Sequence, residues 1–166
     1  THSEIVAIAS RDVERARQAA SQLRIPKAYG SYEELLADPD IEAVYNPLPN
    51  HLHVPLSIQA IEAGKHVLCE KPIALSTDEA LRLVEAAERH PECKVMEAFM
   101  YRFHPRSRRI KKMVAEGVIG KPCLVRSAFC YHMDDDIVKS GGNARLKPDL
   151  GGGALLDVGC YSVNVA

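Results

Sequence analysis

Ala63-Gly64-Lys65-His66-Val67-Leu68-Cys69-Glu70-Lys71-Pro72 carries the end of a helix, a short strand and a charged turn in one unbroken stretch. Gly64 closes a helix expected over 51–63, because glycine takes the left-handed conformation that follows a helix without a Cβ clash. His66 to Cys69 is a short apolar run, which suits a strand covered on both faces of a parallel sheet. Pro72 fixes the turn after it. The same grammar extends upstream. Ile5 to Ala9 is a continuous apolar run, followed by a helix expected over 12–24 with Asp12 as N-cap. Ser31 and Glu34 form a capping box for a short helix that Asp38-Pro39-Asp40 ends. Ile41 to Tyr45 is the next strand, and Pro47 and Pro49 turn it into a loop. Downstream, Ser76 and Glu79 open a helix reaching about His90, and Lys94 to Met100 is a further strand. Strands alternating with helices at this spacing predict βαβ units and a parallel sheet.

Beyond Tyr101 the pattern changes. A helix is expected over 106–117, punctuated by Gly117 and Gly120. Cys123 to His132 reads as a longer strand with partial alternation, as in a sheet open on one side. Residues 133–150 read as a long polar loop containing Asp134-Asp135-Asp136 and Gly141-Gly142, and long loops in compact proteins are often functional. Gly151-Gly152-Gly153 leads into a helix from Ala154. The expected fold class is α/β: an incomplete Rossmann-type parallel sheet over 1–105, then the start of an α+β substrate domain over 106–166.

Bulk properties narrow the function. A net charge of -1 in 166 residues gives no electrostatic case for nucleic acid or an anionic membrane surface. No apolar run approaches the roughly 20 residues that span a bilayer. The five cysteines are odd in number and form no C-x-x-C pair, which argues for a reducing, cytoplasmic setting over a disulfide framework. Cys130 and His132 would share one face of a strand, but two ligands do not make a metal site, and none is expected. Thr1-His2-Ser3-Glu4 has no signal-peptide pattern. With no initiating Met, and with Val165-Ala166 ending inside an apolar pattern, the chain reads as cut at both ends, so an export signal stays open.

Dinucleotide-binding sheets open with strand, G-x-G-x-x-G and helix. No such motif stands here; Gly151-Gly152-Gly153 comes late and follows a loop. Ile5 to Ala9 with Ser10-Arg11-Asp12 matches instead the second strand of such a domain, whose end meets the adenosine ribose. An acid there reads a 2′-hydroxyl; Arg11 favours a 2′-phosphate by charge and fork geometry, hence NADP, with NAD as the alternative. Arg11 also reads simply as an exposed arginine leading a helix.

Two blocks in order carry a family resemblance. Ala63 to Pro72 resembles the A-G-K-H-V-x-x-E-K-P signature of the glucose–fructose oxidoreductase / inositol dehydrogenase family. Gly151 to Tyr161 resembles its G-G-G-x-L-x-D-x-G-x-H/Y block. Asn46 to His53 looks like the family loop that follows the fourth strand, with Pro49, Asn50 and His53 at matching places. Glu97 to Pro105 looks like the start of its interdomain segment. Tyr161 stands where the inositol dehydrogenase branch has His, so the chain is closer to the Tyr-bearing branch with dihydrodiol and xylose dehydrogenases. The resemblance implies a nicotinamide-dependent oxidoreductase for a sugar, alditol or vicinal diol, homo-oligomeric when complete. It implies cofactor contacts at Ser10, Arg11, Pro47, Pro49, Asn50, His53, Glu70 and Lys71, a catalytic set of Lys71, Asp157 and Tyr161, and a cis Lys71-Pro72 bond.

The chemistry of these residues agrees. Lys71 follows a parallel strand, at the carboxyl edge where ligands bind in open α/β sheets. Its charge favours the alkoxide-like oxygen formed as hydride leaves. Glu70 is expected to orient Lys71, and Asp157 and Tyr161, four apart in a helix, to share a face. A phenol relays a proton if a nearby Lys lowers its pKa; otherwise Tyr161 is a core aromatic. Tyr101, Arg102 and His104 are further cleft candidates, although His104 before Pro105 reads equally as a residue that opens a helix. The competing reading is a non-catalytic chain with ligand-binding or interaction capacity only, and without a glycine loop turnover by this stretch alone is not expected.

Overall fold

The computed structural model describes residues 3–166; Thr1 and His2, part of the stretch read above for targeting, lie outside the described residues. The elements in order are β1 (Ala7–Ala9), α1 (Val13–Leu23), β2 (Lys27–Tyr29), α2 (Tyr32–Ala37), β3 (Ala43–Asn46), α3 (His53–Glu62), β4 (His66–Cys69), α4 (Thr77–Arg89), β5 (Val95–Glu97), α5 (Pro105–Ala115), α6 (Asp135–Ser140) and α7 (Cys160–Val165). All strand pairs among the described residues are parallel: β1 with β2, and β3–β4–β5 in that order. The expected parallel sheet is therefore present, in two pieces.

Local chemistry sets the boundaries. Asp12 accepts from the amides of Glu14 and Arg15 at the start of α1. Ser31 and Ser76 accept from the amides of Glu34 and Glu79, and those glutamates reach back one residue further than a standard box, to the amides of Gly30 and Leu75. Gly64 takes φ +75° after α3. The core lies between α3, α4 and the β3–β5 piece, where Val54, Ile61, Val67, Cys69, Leu83 and Ala86 pack together.

Three expectations change. The strand β2 escapes the sequence pattern, because Lys27-Ala28-Tyr29 is too short and too polar to show one. Residues 123–132 form no strand: the segment is almost wholly exposed, and no strand among the described residues lies beside it to complete a ladder. The polar stretch 133–150 is not a plain loop, since it holds α6 and two single turns at Ala144–Leu146 and Pro148–Leu150. The final helix begins as a wide turn over Leu155–Gly159, with i→i+5 hydrogen bonds, before tightening into α7.

Candidate functional site

The loop after β3, the turn after β4 and the Gly151–Gly153 block enclose a cleft of about 300 Å³, lined by Pro47, Pro49, Asn50, Glu70, Lys71, Arg145, Gly151 and Asp157 among others. It sits at the carboxyl ends of β3 and β4, the edge where ligands bind in such sheets. A second groove, at the end of β1, is lined by Ser10, Arg11, Asp12, Arg15 and Tyr32. Leu48 borders both cavities.

Buried polar groups hold the first cleft in shape. Asn46 ends β3, and its side-chain amide donates to the His53 carbonyl at 3.2 Å. His53 has no exposed surface, and its Nδ1 and Nε2 stand 2.7 Å from the carbonyl oxygens of Pro72 and Leu48. His53, in the wall of the cleft, ties the β3 loop to the turn after Lys71. Asn50 reaches across to the Gly151 carbonyl.

Lys71 precedes a cis peptide bond to Pro72. Its Nζ donates to the Asp157 carbonyl oxygen and lies 3.5 Å from Asp157 Oδ1. The same ammonium faces the Tyr161 ring, 5.0 Å from its centroid. Lys71, Asp157 and Tyr161, 90 positions apart at the extremes of the sequence, do converge. Glu70 plays a different part from the one expected: its carboxylate accepts from Tyr45 Oη at 2.7 Å and from the Lys71 amide, not from Lys71 Nζ. The bond to Glu70 pushes the Tyr45 phenol up to about 12.

Tyr161 also differs from expectation. Its ring stacks edge-on against Phe99 and Phe129, with centroids 5.3 and 5.2 Å away. Burial, then the charges of Glu70, Cys160 and Asp157, push its phenol up; no lowering by Lys71 emerges. Asp157 shows the reverse balance. Burial opposes its charge, but Tyr131, Arg145 and Lys71 outweigh burial and hold the carboxyl below its ordinary value. Tyr131 and Arg145 are not among the residues that the sequence motifs single out, although Arg145 lies in the polar stretch 133–150. His104 resolves as a helix cap, its Nδ1 accepting from the Arg106 amide, and Tyr101 donates to Asn164. Among the described residues, no group of three or more His, Cys, Asp or Glu side chains is placed to hold a metal, and no helix is long and apolar enough to cross a membrane.

Parallel strands with cavities at their carboxyl ends are the arrangement of a Rossmann-type nucleotide-binding fold. Residues 1–99 match the oxidoreductase family with an NAD-binding Rossmann fold, and residues 107–166 match the GFO/IDH/MocA C-terminal domain; the chain belongs to that family. It is 47% identical over 163 residues to D-xylose 1-dehydrogenase (NADP(+)) 2 of Haloferax volcanii, covering 98% of this chain and 48% of that protein. It is 39% identical to trans-1,2-dihydrobenzene-1,2-diol dehydrogenase of Xenopus laevis, covering 96% of this chain and 46% of that protein. A crystal structure of a 3-ketoreductase from Actinomadura kijaniata with NADP and TDP-benzene superposes with a TM-score of 0.73 at 36% identity, covering 95% of this chain and 46% of that one. The chain spans about half the length of the curated relatives it matches.

Proposed function

We propose that this chain supplies the substrate-facing acid–base group and part of the cofactor cradle of an NADP-dependent oxidoreductase for a sugar, alditol or vicinal diol. The observation that carries the reading is the meeting of Lys71 with Asp157 and Tyr161 at the carboxyl edge of the sheet. The two cavities sharing Leu48 suit a long two-headed ligand: the Arg11 groove an adenosine ribose with its 2′-phosphate, the Lys71 cleft the nicotinamide end beside the substrate. Residues 1–105 then form the cofactor side and 106–166 begin the substrate side. The activities of the Haloferax and Xenopus relatives support this substrate class.

In this reading the bound nicotinamide supplies or takes the hydride. Lys71 has three donors. Asp157 takes two, through its carbonyl and Oδ1, and the third is left for a substrate oxygen. In reduction the ammonium gives that oxygen its proton; in oxidation the amine form takes it back. The lysine charge stabilises the negative oxygen between these states. Pro47, Pro49 and Asn50 wall the cleft and limit water around the reacting atoms.

The test uses the full-length protein that carries this chain. NADP+ reduction is followed with D-xylose, a pentitol and a cyclic vicinal diol, and dissociation constants for NADP+ and NAD+ are measured by fluorescence. Turnover of at least one such hydroxyl compound with NADP+ supports the reading. Cofactor binding without turnover of any of them, or no cofactor binding, overturns it.

A further inference from the structure

Asp157 is the most heavily partnered side chain in the cleft, and two of its partners come from segments that no motif singled out. Its Oδ2 accepts from Tyr131 Oη at 2.6 Å, and its Oδ1 accepts from Arg145 Nε at 3.0 Å, closer than Lys71 Nζ at 3.5 Å on the same oxygen. The carboxylate is 13% exposed, while the Arg145 side chain is 58% exposed. A half-buried carboxylate with three donors on two oxygens has its rotamer fixed from outside, because charge-assisted hydrogen bonds are short and directional.

The Arg145 turn is itself seated by the glycine block. The Gly152 amide donates to the Lys147 carbonyl and the Gly153 amide to the Arg145 carbonyl. A Cβ on Gly152 would stand 2.7 Å from the Arg145 carbonyl oxygen and 2.8 Å from that of Ala144. Only a residue without a Cβ lets the turn come this close.

We propose that Tyr131 and Arg145 are positioning residues that act through Asp157. They hold its carboxylate turned so that Lys71 is gripped chiefly at the Asp157 carbonyl, leaving the ammonium its reach toward the substrate oxygen. Without them the carboxylate is free to swing onto Lys71 and pair with it fully. Arg145 also places a second cation on the carboxylate, so Lys71 is not the sole counter-charge of Asp157. Tyr161, which feels the Asp157 charge, lies one turn further along the same helix beside Cys160, and Glu70 and Glu97 act on that pair rather than on the carboxylate. The inference rests on the reading of Lys71 as the acid–base group.

The first test needs no turnover. The Asp157 carboxyl is titrated by carbon NMR in the parent protein, in Tyr131→Phe and in Arg145→Gln. Each variant is expected to raise its midpoint, since each removes a partner of the charged form. An unmoved midpoint in both variants overturns the proposal. The second test is the NADP-linked reaction of the full-length protein with whichever hydroxyl compound it turns over. Both variants are expected to lower kcat roughly tenfold or more with little change in KM, and to shift the pH dependence of kcat. Arg145→Lys should restore the charge but not kcat, because Nε and its planar geometry are lost. If Lys71→Ala abolishes turnover while both variants keep the parent kcat and pH profile, the positioning role fails and the Lys71 reading stands. If Lys71→Ala is fully active, the Lys71 reading fails first.

Discussion

The side-chain amide of Asn50 donates a 2.8 Å hydrogen bond to the main-chain carbonyl of Gly151, joining the loop after β3 to the glycine block 101 positions later. Gly151 has φ +79°, and a Cβ there would run into Leu75 Cδ2 and come within 2.9 Å of Asn50 Cβ. The bond and the close approach belong together: the carbonyl reaches Asn50 only because nothing projects from Gly151. Gly151→Ala is therefore expected to destabilise the fold by about 1–3 kcal/mol, through left-handed strain and displacement of Leu75. Asn50→Ala, which removes one part-buried hydrogen bond, should cost about 0.5–1.5 kcal/mol. Urea midpoints of the two variants check the order. Equal losses would mean that Leu75 yields freely to a methyl group.

A second expectation concerns acid stability. Lys27 Nζ lies 2.7 Å from Asp38 Oδ2 and 2.8 Å from Asp40 Oδ2, and Tyr29 Oη donates to Asp38 at 2.6 Å. The Lys27 ammonium first, then the Tyr29 hydroxyl and the Asp40 amide, hold the Asp38 carboxyl well below its ordinary range. A carboxylate held low in the fold contributes stability above its unfolded value, near ~3.9, and loses it as pH falls toward the folded value. Asp38→Asn should lower the urea midpoint at pH 7, and the gap to the parent should narrow below about pH 4. A gap that stays constant from pH 7 to pH 3 would refute the assignment.

Much of the frame was legible because it depends on neighbours in sequence. Asp12, Ser31 and Ser76 cap helices through amides two or three residues away, and His66 to Cys69 announces a buried strand by composition. What depends on distant partners was not legible. The alternation in 123–132 is real, but a strand exists only where another lies alongside. The meeting of Lys71 with Asp157 and Tyr161 could be expected from two motif blocks, yet no local rule shows that Lys71 meets the ring face of Tyr161. Nor could it show that Glu70 serves Tyr45 instead of Lys71. Tyr131 and Arg145 act through a carboxylate that the sequence places 26 and 12 positions away, and the Arg145 turn packs against Gly152.

Arg11 gives a test of cofactor choice. It lines the groove at the end of β1 with Ser10 and Arg15, where an adenosine ribose is expected. A bidentate contact to a 2′-phosphate should be worth on the order of 1.5–3 kcal/mol, or about ten- to a hundredfold in affinity. In the full-length protein, NADP+ should bind tighter than NAD+, and Arg11→Ala should weaken NADP+ alone. The two dissociation constants in parent and variant decide it. An unchanged ratio would return Arg11 to the status of an exposed helix-leading residue.

The remaining prediction separates Lys71 from the Tyr161 ring that its ammonium faces. Lys71 Nζ sits 5.0 Å from the centroid of the Tyr161 ring, and that ring is held edge-on by Phe99 and Phe129. A cation over an aromatic face is held by the ring itself, at about 0.5–2 kcal/mol, whether or not the ring carries a hydroxyl. Burial pushes the phenol up, which disfavours it as a base. Lys71 is thus expected to carry the proton. Lys71→Ala should lower kcat by at least about a hundredfold, the scale of a lost general acid or oxyanion donor. Tyr161→Phe keeps the ring under the ammonium and removes one hydrogen-bond donor, so kcat should fall by about tenfold or less. Tyr161→Leu removes the ring as well and should cost more than Tyr161→Phe. The double variant Lys71→Ala/Tyr161→Phe should be no slower than Lys71→Ala alone, because groups serving one proton do not contribute additively. Steady-state kcat values for the four proteins settle the division of labour. A Tyr161→Phe protein as slow as Lys71→Ala would make the hydroxyl the proton carrier and reduce Lys71 to its electrostatic partner.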